Sequence, residues 1–209
     1  MPDKRRKIED VTLVKLKEYS AQLSRKIQDS GYVAEHILYV ERAGLFIACE
    51  IVQNFTCSIT GIYASRGGNS FKSNFKILLR CLPKRVTDLM RRIEEKSNIH
   101  NVKSGRNVYI EGQFPPKRNN ILLVDDAIDT GNSMKAVVNF LVSKGYHQDS
   151  LHSCVLTTTR KHPEYRADIS LFNDVSFAFP WSYTSKEYHI SWELYNKYKS
   201  DICKQACQE

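Results

Sequence analysis

Ile121, Leu122, Leu123 and Val124 form an uninterrupted apolar run that stops at two adjacent carboxylates, Asp125 and Asp126. Such a run reads as a strand covered on both faces, the situation of a strand inside a parallel sheet. Beyond the acids come Ala127, Ile128, Asp129, Thr130 and Gly131. Val137, Val138, Leu141 and Val142 then recur at helical spacing, and Gly145 is a natural stop. Strand, acidic tip, glycine turn and helix, in that order, place residues 125–133 at the carboxyl edge of an open α/β sheet, where ligands sit.

The chemistry of that turn favours a phosphate. The first N–H groups of a helix have no intrahelical partner and carry the positive end of its dipole. Thr130 and Ser133 add hydroxyls, and Gly131 lets the backbone come close. Asp125 and Asp126 would repel the same phosphate, so they suit hydroxyl groups or a hard cation such as Mg²⁺. A sugar with a 5′-phosphate satisfies both halves. A Walker-type loop is excluded, because no lysine follows a second glycine.

The run Asp125, Asp126, Ala127, Ile128, Asp129, Thr130, Gly131, Asn132, Ser133 closely resembles the phosphoribosyl pyrophosphate (PRPP) signature of type I phosphoribosyltransferases. The resemblance is strongest to the hypoxanthine/xanthine-guanine branch. It implies an open, mainly parallel sheet flanked by helices, and transfer of 5-phosphoribose from PRPP to a nitrogenous base, a 6-oxopurine first, with release of pyrophosphate. It also implies roles. Residues 127–133 would hold the 5′-phosphate. Asp125 and Asp126 would hold the ribose hydroxyls, steady the cationic sugar and bind Mg²⁺, directly or through water. Asp129 would manage the ring-nitrogen proton of the base, with helix capping as its alternative task.

Earlier in the chain, residues 11–28 carry Leu13, Leu16, Leu23 and Ile27 at helical spacing before Gly31. Residues 36–40 read as a strand, residues 41–44 as its turn, and Leu45 to Val52 as a buried helix. Arg42, Ala43 and Gly44 resemble the Arg-Gly-Gly pyrophosphate loop of the purine enzymes, with Ala43 in place of the middle glycine. The resemblance implies a cis peptide bond entering Arg42. Residues 58–63 complete a strand–helix–strand unit.

Residues 64–120 read as an insertion within a single 1–209 domain, combining a hood with a flexible loop. Arg66, in the polar segment 65–70, is a further candidate for pyrophosphate. Residues 75–82 and 85–96 read as short helices around Pro83, with Lys76, Arg80, Lys84, Arg85, Arg91, Arg92 and Lys96 among them. Their charge fits a solvated face, a partner or oligomer surface, or an RNA-binding patch. Residues 107–111 read as a strand of a hairpin.

Residues 151–159 form a further strand. After it the resemblance implies a lysine contact to the exocyclic oxygen of a 6-oxopurine, with Lys161 the candidate and Arg160 its rival. Residues 175–181 read as an apolar strand ending in Pro180 and Trp181, a pairing similar to that of xanthine- and guanine-using members. Phe177 is the candidate base-binding aromatic. Ser176 and Ser182 depart from the branch pattern, where an aromatic and an acid are expected. Residues 183–209 read as a helical extension anchored by Trp192 and Leu194, with no chemistry assigned.

With 42% hydrophobic and 26% charged residues, the chain has the balance of a globular domain. No apolar run reaches membrane-span length, and the basic start, with Lys4 to Lys7 as a solvated tail, lacks a signal peptide's apolar segment. The 6 cysteines contain no CxxC pair, consistent with reduced thiols in the cytoplasm. Cys203 and Cys207, one helical turn apart, carry no metal assignment. The net charge of +8 attracts anions, PRPP before nucleic acid. The expected protein is a cytoplasmic enzyme of purine salvage with PRPP and a nucleobase as substrates, Mg²⁺ as cofactor, a homodimeric or homotetrameric state and no membrane. The alternatives are a PRPP- or nucleotide-binding regulator that binds RNA, and a transferase of a specialised biosynthetic pathway.

Overall fold

Alternation along the central strands decides the layering. In the computed structural model, which describes residues 8–66 and 106–206, strand β2 (His36–Val40) and strand β5 (Ile121–Ile128) are buried along most of their length. Successive side chains of a strand point to opposite faces. Ile37, Tyr39, Leu122 and Val124 therefore enter one core, and Leu38, Val40, Ile121 and Leu123 the other.

Helices α1 (Leu13–Asp29) and α2 (Gly44–Ile51) cover the first face. Helix α3 (Asn132–Ser143) covers the second with Met134, Val137, Val138 and Leu141. Thr12 caps α1 by accepting the Lys15 N–H, and Leu16, Ser20, Leu23, Ser24 and Ile27 line its buried face.

The main sheet adds β3 (Ser58–Arg66), β4 (Arg106–Ile110), β6 (Leu151–Thr158) and β7 (Ile169–Asn173), in the order β4-β3-β2-β5-β6-β7. Only β4 is antiparallel, pairing Ile62 with Ile110 and Arg66 with Arg106. From β2 the chain builds outward toward β3, and from β5 it builds the opposite way toward β6. The reversal opens a crevice between the carboxyl ends of β2 and β5.

A second sheet was not anticipated. It pairs β1 (Ile8–Asp10) in parallel with β8 (Ser176–Ala178), so residues 175–181 contribute a short strand outside the main sheet. Strand β7 also went unread, because Ile169, Leu171 and Phe172 sit among polar neighbours. Helix α4 (Tyr188–Ala206) realises the extension and packs Leu194, Tyr195, Tyr198 and Ile202 onto the first core. The segment 67–105, with its expected helices and basic residues, lies outside the described residues, as do Lys4 to Lys7 and Cys207.

Candidate active site

Two turns meet in the crevice. The first follows β2: the Glu41–Arg42 peptide is cis, as expected, and α2 begins at Gly44. A Cβ on Gly44 would stand 2.5 Å from the Val124 carbonyl oxygen and 3.4 Å from the Asp125 Cα. Glycine thus lets this turn lie directly against the acidic tip of β5. Arg42 is exposed, with its guanidinium 5.9 Å from the centre of the Trp192 ring.

The second turn follows β5. Gly131 takes φ +84°, and a Cβ there would collide with Tyr165 backbone atoms at 2.6 Å, so the loop is pressed beneath the 163–165 segment. Glu164 N–H donates to the Thr130 carbonyl, and Lys135 N–H to Gly131 opens the helix. Residues 127–134, Asp125 and Arg106 line a cleft facing the start of α3. The amides of that first turn are the donors a phosphate requires.

Asp125 is 9% exposed, and its Oδ1 accepts the Asp126 N–H at 2.9 Å. Burial first, then the neighbouring Asp126 charge, pushes the Asp125 carboxyl well up; the Arg106 charge opposes this. Burial also raises Asp126, and its interactions with Asp125 and nearby backbone N–H groups oppose this. The Trp181 indole is stacked between Phe46 (4.6 Å) and Phe179 (4.8 Å). Trp181 is therefore held in the core beside α2.

Asp129 does not cap α3, whose N-cap position is Gly131. Its carboxylate instead accepts Arg160 Nε at 2.6 Å and Nη2 at 3.2 Å, with the Thr159 hydroxyl at 2.9 Å. The Thr159 N–H to Ile128 carbonyl bond locks the two strand ends together. Arg160 is thus occupied by Asp129, whose hydrogen bonds and charge hold the guanidinium protonated.

The carboxylate pair offers hard oxygen donors, and among the described residues no third His, Cys, Asp or Glu completes a metal cage. That donor set suits Mg²⁺ held by one or two carboxylates together with substrate oxygens.

The sequence from residue 12 to 187 matches the family model described as the phosphoribosyl transferase domain. The chain belongs to this family. Solved structures with the same fold include the Helicobacter pylori xanthine-guanine-hypoxanthine phosphoribosyltransferase, at 18% identity and TM-score 0.59, covering 85% of this chain and 95% of that one. The Pyrococcus horikoshii purine phosphoribosyltransferase follows at 16% and 0.55, covering 83% and 92%. A hypothetical Neisseria gonorrhoeae protein with bound ppGpp matches at 13% and 0.55, covering 94% and 99%. A search of curated proteins finds no match.

Within this phosphoribosyltransferase the fold gathers Arg42, Ala43, Gly44, Asp125, Asp126 and residues 127–133 around one crevice. Lys161 and Phe177 sit on other elements. Lys161 is exposed, 3.9 Å from Asp174, and Phe177 belongs to an aromatic cluster with Tyr19 and Phe172. The Arg66 side chain lies outside the described residues. Sequence reasoning passed over Arg106, whose signal was an arginine opening strand β4 just before the apolar Val108, Tyr109 and Ile110. Among the described residues no helix is long and apolar enough to cross a membrane.

Proposed function

We propose that this phosphoribosyltransferase moves 5-phosphoribose from PRPP to a 6-oxopurine in the presence of Mg²⁺. One observation carries the reading: an arginine turn and a phosphate-type helix start flank the same carboxylate pair at the sheet's reversal point. The 5′-phosphate rests on the amides of residues 129–133 and the Thr130 and Ser133 hydroxyls. Asp125 and Asp126 accept from the ribose hydroxyls.

As the bond from the anomeric carbon to pyrophosphate breaks, positive charge grows on the sugar beside these acids. Negative charge grows on pyrophosphate, facing Arg42. Mg²⁺, when bound, neutralises part of the pyrophosphate charge. A base nitrogen attacks the anomeric carbon, and its proton is accepted at the Asp129 carboxylate, oriented by Arg160 and Thr159. Positioning and electrostatics supply the rate, without a covalent intermediate. Lys161 and Phe177 are the proposed base contacts, the lysine toward the exocyclic oxygen.

The test is PRPP-dependent pyrophosphate release across hypoxanthine, guanine, xanthine, adenine, orotate and uracil. The 6-oxopurines should lead. Turnover with orotate alone would overturn the base assignment.

A further inference from the structure

Helix α4 reaches the pyrophosphate turn with one face. Trp192, Tyr195 and Lys199, at i, i+3 and i+7, point the same way. Trp192 lies under Arg42, and the next two grip the residue before it. The Glu41 side chain has no exposed surface, and it takes the Tyr195 hydroxyl at 2.7 Å and Lys199 Nζ at 2.7 Å.

The surrounding side chains are packed around that pair. Lys199 also reaches the Tyr39 hydroxyl at 3.3 Å and pairs with Glu111, just past β4. Tyr63, stacked on Tyr109, completes the wall. Opposite stands Gly61, where a Cβ would come within 2.9 Å of Glu41 Oε1. Burial pushes the Glu41 carboxyl up, and the Lys199 charge pulls it back. Breaking a buried pair of this kind leaves an uncompensated charge. A carboxylate this enclosed has one seat, and its seat fixes the start of the next residue.

We propose that Lys199 and Tyr195 are positioning residues for the pyrophosphate turn. By gripping Glu41 from α4 they set where Arg42 presents its guanidinium, a role that rests on the PRPP reading of the site. Residues 127–133 hold their own place through α3 and the 163–165 segment. The device therefore predicts a selective loss. Pyrophosphate contacts should suffer, and 5′-phosphate contacts should not.

Calorimetric affinities for PRPP and for ribose 5-phosphate, each with magnesium, test this on the full chain. Lys199→Met should weaken PRPP about tenfold or more, as for a misplaced binding group, and leave ribose 5-phosphate unchanged. Lys199→Arg should restore most of the PRPP affinity. An unchanged PRPP affinity, or parallel loss of both ligands, would overturn the proposal. If Lys199→Met fails to fold, the neutralised pair Lys199→Met/Glu41→Gln is judged by the same two outcomes. Failure of that variant too would make the cluster a core element and overturn the positioning role. Wild-type protein that ignores both ligands would bring down the PRPP reading itself; wild type that binds both beside an unaffected variant would bring down this inference alone.

Discussion

The two turns that meet in the crevice are built in opposite ways. The cradle after β5 comes almost whole from one stretch, residues 125–134, where strand, glycine and helix start follow in sequence. The turn after β2 is short and depends on distant residues: Tyr195 and Lys199 lie 154 and 158 positions from the glutamate they hold. A phosphate cradle made of backbone amides needs only a helix start and a permissive glycine. A side-chain guanidinium aimed at a ligand needs external support, and here a helix from the far end of the chain supplies it.

The largest effect should come from the cradle's own acid. Asp129→Asn keeps the shape and loses the proton acceptor, so turnover should fall about 10²–10⁴-fold, the usual range for general acid–base groups. PRPP affinity by calorimetry should stay near wild type. An unchanged rate would remove Asp129 from the chemistry.

Next come the glycines, one in each turn. Gly131→Ala meets both a left-handed backbone and Tyr165 atoms at 2.6 Å, and should destabilise the fold by roughly 2–4 kcal/mol. It should weaken ribose 5-phosphate and PRPP alike. Gly44→Ala meets only the Val124 carbonyl at 2.5 Å and should cost about 1–3 kcal/mol. It should weaken PRPP more than ribose 5-phosphate. Denaturant melts with paired calorimetry check both. Identical ligand profiles for the two variants would erase the contrast between the turns.

The smallest effect concerns the root of the β2 turn. His36 is buried at the start of that strand, held by Ser58 (2.7 Å) and Thr60 (3.0 Å), and burial lowers its pKa to about 4. Its folded value lies below the unfolded one, so the unfolded chain binds more protons between the two. Stability is full above pH ~6.5 and is lost as pH falls toward ~4, by roughly 1 kcal/mol at pH ~5.5. Melts of wild type and His36→Gln across that window should show the slope only in wild type.

Legibility followed the same division. The strand over residues 36–40, the two-sided burial of β5, the helix after Gly131 and the cis bond before Arg42 were all expected, and the structure carries them. Strand β7 and the β1–β8 pair were not, since short strands with mixed faces draw their stability from neighbours rather than from their own pattern. Asp129 carried two possible tasks in the sequence. Its pairing with Arg160 depends on the ends of β5 and β6 being adjacent, which no local pattern encodes.

By itself, the order of residues determined the central strands and helices of an α/β domain, the phosphate-type turn at Gly131 and the acid pair beside it, because each follows from patterns within a few positions. Tertiary structure alone decided that Arg106 reaches the cleft, that Trp181 stacks between Phe46 and Phe179, and that α4 encloses Glu41. Those side chains acquire their roles only when packing removes water and brings together charges that lie far apart along the chain.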